Sequence, residues 1–249
     1  MTRTALPENR RAELLKHAKE HLAADMLVRG LYADEDADGF KGCSVGCFLH
    51  SIYPRKRAAT IANLDNKHAI VAKHYGYPEW LALLQDTIFE GLPNGESAKW
   101  HVQLAEKIAA LPDNVNWQTI LHKVHVGLLR VAYRTAGSAQ PAVQTVIDLH
   151  ERAAQGEDVS DELWSAARSA AWSAAWSAAR SAARSAAWSA AWSAAESAAA
   201  SAAASAAASA AESAAASAAR SAAWSAAWSA AASAAYQDMR DAVLESIAT

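Results

Sequence analysis

Through the first 158 positions, apolar residues recur at helical spacing between glycine and proline breaks. Pro7 opens the first expected helix, which carries Leu15, Ala18, Leu22 and Met26 on one face and ends near Gly30. An apolar helix is expected from Gly42 to Ile52, then one from Asn66 to Tyr75 closed by Gly76. The next runs from Pro78 to Glu90, where Gly91, Leu92 and Pro93 read as a C-cap of the Schellman kind. Three more span Ser97 to Leu111, Asn116 to Ala136 and Ala139 to Gln155. In the middle one of these, Trp117, Ile120, Val124, Leu128 and Val131 form one stripe. Asp34-Glu35-Asp36-Ala37-Asp38-Gly39 alternates carboxylates as a calcium loop does. It lacks the later bidentate glutamate and the flanking helices, so it reads as a solvated loop. Tyr53-Pro54-Arg55-Lys56-Arg57 reads as a basic turn. Strand signals are weak, and the pattern predicts an all-α protein.

After the joint Gln155-Gly156-Glu157-Asp158 the pattern changes. Ser160 is a candidate N-cap, and from Ser165 to Tyr236 the unit Ser-Ala-Ala-X repeats eighteen times. Alanine favours helix, and a period of four turns each X about 40° beyond the one before, so the X residues spiral instead of lining up. A single straight helix of that length would run about 110 Å and expose its tryptophans. The expectation is therefore several closely packed helices, whose small positions let backbones approach. Two domains follow, a helical one over 1–158 and the tetrad region over 159–249. The candidate partner-binding residues are nine Trp and Arg at X positions, in three Arg-Trp-Trp clusters: Arg168, Trp172, Trp176, Arg184, Trp188, Trp192, Arg220, Trp224 and Trp228.

Composition narrows the function classes. A net charge of −3 makes nucleic acid an unlikely partner. The 52% apolar content owes much to repeat alanines, and no window reads as a membrane span. With no secretory leader and two cysteines, a reducing cytoplasmic setting is expected.

Cys43, Cys47 and His50 fall at i, i+4 and i+7 on one helix face, a spacing that could present three zinc ligands, with His68, His74 or a carboxylate as a fourth. The adjacent Gly42 and Gly46 favour instead two small buried thiols, and a reactive cysteine is a third reading. Asp86 and Glu90, one turn apart, are an acidic pair able to hold a divalent ion or to form a solvated face. His17 and His21 read as a polar flank, and His125 and His150 as satisfied core or interface residues. No P-loop, dinucleotide fingerprint or Ser-His-Asp order is recognised, and nothing compels an enzyme.

Gly42-Cys43-Ser44-Val45-Gly46-Cys47-Phe48-Leu49, with Tyr77-Pro78-Glu79-Trp80-Leu81 and Asp86-Thr87-Ile88-Phe89-Glu90-Gly91-Leu92-Pro93, resembles a set of uncharacterised bacterial and phage proteins over about residues 40 to 93. The tetrads resemble those of certain immunity proteins of toxin systems. Neither resemblance brings catalytic residues. Together they imply a cytoplasmic, non-enzymatic factor of immunity or phage anti-defence type, acting on a protein partner or assembling as a homo-oligomer. The alternative expectation is a metal- or ligand-binding helical domain that uses Cys43, Cys47 and His50, with the repeat as scaffold.

Overall fold

The computed structural model describes residues 8–37, 39–93, 95–167, 169–170, 173 and 232–247. The protein is all-α, with one small hairpin among the described residues. In chain order the elements are α1 (Glu8–Ala23), β1 (Asp34–Asp36), β2 (Gly39–Lys41), α2 (Ser44–Ile52), α3 (Ala58–Ala62), α4 (Lys67–Tyr75), α5 (Glu79–Gly91), α6 (Glu96–Ala109), α7 (Trp117–Tyr133) and α8 (Gln140–Ala154). A further helix covers 232–247. The acidic stretch expected as a loop is instead the antiparallel pair β1–β2, with Glu35 opposite Phe40. Phe40 is buried and supplies the apolar anchor that the three acidic residues of β1 lack.

Chain contacts divide the protein into two units. The first comprises Met1–Val131, His150–Asp158 and Ser233–Thr249; the second comprises Ala132–Leu149 and Val159–Ala232. The tetrad region therefore lies, along the chain, between two segments of the first unit. In the second unit Ser160 caps as expected, its Oγ accepting from the Leu163 amide and its carbonyl from that of Trp164. The nine candidate partner-binding residues from Arg168 to Trp228 lie outside the described residues.

In the first unit α1 packs on α6, and α2 lies centrally against α1, α3, α4 and α5. Trp100, Tyr75, Phe48 and Phe89 are the bulkiest of its fully buried side chains. Each such burial is worth roughly 1.5–3 kcal/mol. The buried face of α1 is only partly the expected one: Ala18 is buried and Leu15 and Met26 pack half-buried on the core, but the helix ends at Ala23, short of Met26 and Gly30. Arg11, Leu14, Ala18 and His21 face inward, whereas Leu22 is 43% exposed. Arg11 is accommodated because its guanidinium reaches the Leu111 carbonyl and the Asp113 carboxylate. α4 ends as anticipated, on Gly76 at φ 80° in the left-handed region, its N–H closing onto the Ala72 carbonyl.

The stop after α5 works differently from a glycine C-cap. Gly91 is the last helical residue and Leu92 is extended. What Gly91 provides is room, since a Cβ there would sit 2.3 Å from the ring of Tyr236. Tyr236 belongs to the last helix, whose Val243 and Ile247 are fully buried in the same core as α5 and α6. Arg240 bonds Glu96 at 2.6 Å, and the Ser246 hydroxyl donates to the Lys123 carbonyl at 3.2 Å. The chain's last described turns thus complete the N-terminal core. No described helix is long and apolar enough to cross a membrane.

Candidate metal centre at Cys43, Asp86 and Glu90

The segment 26–32 lies along the start of α2. Val28 N–H donates to the Gly42 carbonyl, Gly42 N–H to Met26 and Cys43 N–H to Leu31, at 2.9, 2.9 and 2.8 Å. This approach explains the glycine spacing of the 42–46 motif. A Cβ on Gly46 would lie 1.5 Å from the Tyr32 carbonyl oxygen, and one on Gly42 would lie 2.5 Å from it. Only bare backbone fits there, and the contact delivers Tyr32 and Gly30 to α5.

There they meet the acidic pair. The Tyr32 hydroxyl donates to Asp86 Oδ2 at 3.3 Å, and His68 Nε2 lies 3.0 Å from the same oxygen. Gly30 N–H donates to Glu90 Oε2 at 2.7 Å, and Arg29 donates to the Glu90 carbonyl at 3.1 Å. Cys43, the N-cap of α2, points to the same place. One donor atom each from Cys43, Asp86 and Glu90 lie within 4.8 Å of one another. Asp86 Oδ1 is buried with no hydrogen-bond partner, which is costly for a carboxylate oxygen.

The local field matches this crowding of acidic groups. Burial, reinforced by the Asp86 charge, pushes the Cys43 thiol well above its usual range. Tyr32 is pushed up to about 12, first by burial and then by Asp86. Burial also raises Glu90, against the opposing pull of the Gly30 N–H. Cys43 therefore stays a thiol without a cation, which argues against a reactive cysteine. A divalent ion would displace that proton and offset two of the three negative charges then present on Cys43, Asp86 and Glu90.

Sequence spacing grouped Cys43 with Cys47 and His50, and the fold separates them. Cys47 is fully buried, with Sγ 3.5 Å from the Met26 carbonyl and 3.4 Å from that of Gly42; burial pushes its thiol up to about 12. The His50 ring stacks on Phe40 with centroids 4.0 Å apart. Helix α2 is apolar nearly all round, so its cysteines face different neighbours. His74, the other proposed fourth ligand, lies 3.4 Å from Glu13, whereas His68 is at the centre, bonded to Asp86.

A buried polar chain passes beside this cluster, and the sequence reading missed it. Tyr77 donates to Gln85 Oε1 at 3.0 Å, and Gln85 Nε2 donates to Ser44 Oγ. Ser44 Oγ lies 2.7 Å from His101 Nδ1, His101 Nε2 3.0 Å from His21 Nδ1, and His21 Nε2 2.7 Å from Ser51 Oγ. One proton assignment satisfies every link: Ser44 donates to His101, His101 to His21 and His21 to Ser51, with both imidazoles neutral. Burial lowers His21 to about 3 and holds His101 well below its ordinary value. His21 is thus a core residue and not the polar flank expected.

Gly42-Cys43-Ser44-Val45-Gly46 has the G-x-S-x-G form between a strand and a helix, the one available clue to Ser44 and His101. It is not a nucleophile site here. Ser44 and His101 are fully buried, and the group behind His101 is His21, not a carboxylate.

Comparison of the chain with protein-family models, curated proteins and solved structures finds no match in any of the three.

Proposed function

We propose that the first unit is a metal-binding helical domain whose ligands are Cys43, Asp86 and Glu90. The observation that carries the reading is the convergence of one donor atom from each within 4.8 Å, with Asp86 Oδ1 buried and reached by no N–H or O–H donor. In tetrahedral coordination neighbouring donors stand about 3.3–3.5 Å apart, so each atom would move by less than about 1 Å to close on an ion. Zinc fits the mixture of one thiolate and two carboxylates best, being borderline in softness and free of a strong geometric demand. His68 and Tyr32 would orient Asp86 from behind, as outer partners do for metal-bound carboxylates. Three protein donors leave a fourth position for water or a small ligand.

The test is cobalt or zinc titration of the whole chain. A thiolate-to-cobalt charge-transfer band should appear, vanish in Cys43→Ser and survive in Cys47→Ser. Loss in Cys47→Ser with retention in Cys43→Ser would overturn the assignment.

A second reading is favoured by the eighteen-fold tetrad. We propose that the repeat carries a protein-interaction surface of Trp and Arg, as a cytoplasmic immunity or anti-defence factor would need, or assembles copies of the chain. A pull-down comparing the full chain with one lacking the tetrads decides this. Equal partner recovery would refute it.

A further inference from the structure

A second group of potential ligands lies elsewhere in the first unit. His122 and His125 sit one turn apart on α7, and His150 stands on α8. One ring nitrogen of each falls within 4.8 Å of the other two. His122 Nδ1 and His150 Nδ1 are 2.8 Å apart, and the His125 and His150 ring centroids are 4.6 Å apart, tilted by 58°. A separate observation points to a missing partner, since His125 Nδ1 is buried and hydrogen-bonds to nothing. Burial lowers all three imidazoles, His150 to about 4. They are therefore neutral at physiological pH, the form that ligates a metal. Among the described residues no carboxylate joins the group, and Glu151, next to His150 in sequence, is bound to Arg130 at 2.6 Å, so the donor set there is nitrogen alone.

We propose that His122, His125 and His150 form a second metal site, for a borderline divalent transition ion held by three imidazoles. The fourth coordination position is left to water or a small anion. Tetrahedral zinc at about 2.0–2.1 Å from each nitrogen spaces the nitrogens about 3.3 Å apart. The ion therefore replaces the shared His122–His150 proton, widens that pair by about 0.5 Å, and gives the orphaned His125 a partner. The displaced proton moves to Nε2 of its own imidazole, so with all three rings neutral none is released and no other reactant is needed. The site shares no residue with the Cys43 centre, so each stands or falls alone.

Cobalt separates them. Full-length Cys43→Ser protein should still bind one cobalt, with visible tetrahedral bands and no thiolate charge transfer. Adding His125→Gln, or separately His150→Gln, should weaken that binding by at least about tenfold. Unchanged affinity in both double variants would overturn the proposal, as would an absence of visible bands in the Cys43→Ser protein. If a variant fails to fold, the wild-type chain decides. Zinc should protect His122, His125 and His150 from diethyl pyrocarbonate, mapped by mass spectrometry, and equal labelling with and without zinc would overturn it.

Discussion

Acid should unfold the first unit through two residues, His21 and His101. Both are buried and neutral, and each ring nitrogen that would take a proton already accepts a hydrogen bond within the chain from Ser44 to Ser51. Protonating either would bury a positive charge in the core beside a second imidazole, with no carboxylate hydrogen-bonded to either ring. His21 falls from 6.5 in the free residue to about 3 in the fold, and His101 is also held low. The folded pKa is depressed and the folded state disfavours the charged form, so for a histidine the stability is complete above the unfolded pKa and drains as pH falls below it. Each contributes a slope of about 1.4 kcal/mol per pH unit in that window. Between pH ~6 and ~4 His21 alone should remove about 2.5 kcal/mol, and His101 adds to the loss in the same direction. Urea unfolding across this range should be followed by near-UV circular dichroism. It should also be followed by pyridyl-disulfide labelling of Cys43 and Cys47, the chain's two cysteines, both buried. His101→Gln should start less stable at pH 7 and lose stability with a shallower slope than the wild type. A stability that stays level within about 1 kcal/mol from pH 6 to 4, or an unchanged slope in His101→Gln, would refute the reasoning.

Gly46→Ala places a Cβ on the Tyr32 carbonyl oxygen and should cost about 3 kcal/mol or more. Gly95→Ala, at φ 85° but with open space around it, should cost only about 1 kcal/mol; equal urea midpoints for the two would count against the packing account. Tyr77→Phe leaves Gln85 Oε1 without its donor and should lower stability by about 1–3 kcal/mol in a thermal melt. Ile247→Ala should cost about 2–5 kcal/mol, read as faster exchange of α5 and α6 amides; protection equal to wild type would show that the last helix lies outside this core.

Most helix positions were legible in the sequence because local chemistry sets them, although α1 stops at Ala23 and the short α3 was not expected. Gly76 can take the left-handed turn that closes α4, and Pro78 can precede a first helical turn but not interrupt one. Ser160 likewise announced its capping role from its own neighbourhood. The inward face of α1 was only partly legible. Hydrophobicity pointed to Leu22, yet the fold buries Arg11 and His21, whose partners come from α6, its following loop and α2. The hairpin at residues 34–41 was missed because strand β1 is wholly acidic and gains its anchor from Phe40 across the pair.

The same division governs the candidate centre. Sequence alone determined that Cys43 and the Asp86–Glu90 pair are chemically capable, since donor type and helical spacing are local properties. Grouping Cys43 with Cys47 and His50 followed spacing along one helix, and the fold overrode it. Only the tertiary structure decided that the thiol meets the carboxylates of α5, because that depends on the Tyr32 backbone pressing into two glycines from outside. It alone decided that Gly91 serves a distant tyrosine ring, and that residues 233–247 complete a core begun more than two hundred positions earlier. Contacts between segments far apart in the chain leave no periodic trace in either segment, because the partner of a buried side chain, or of a backbone group such as the Gly30 N–H, lies in another segment.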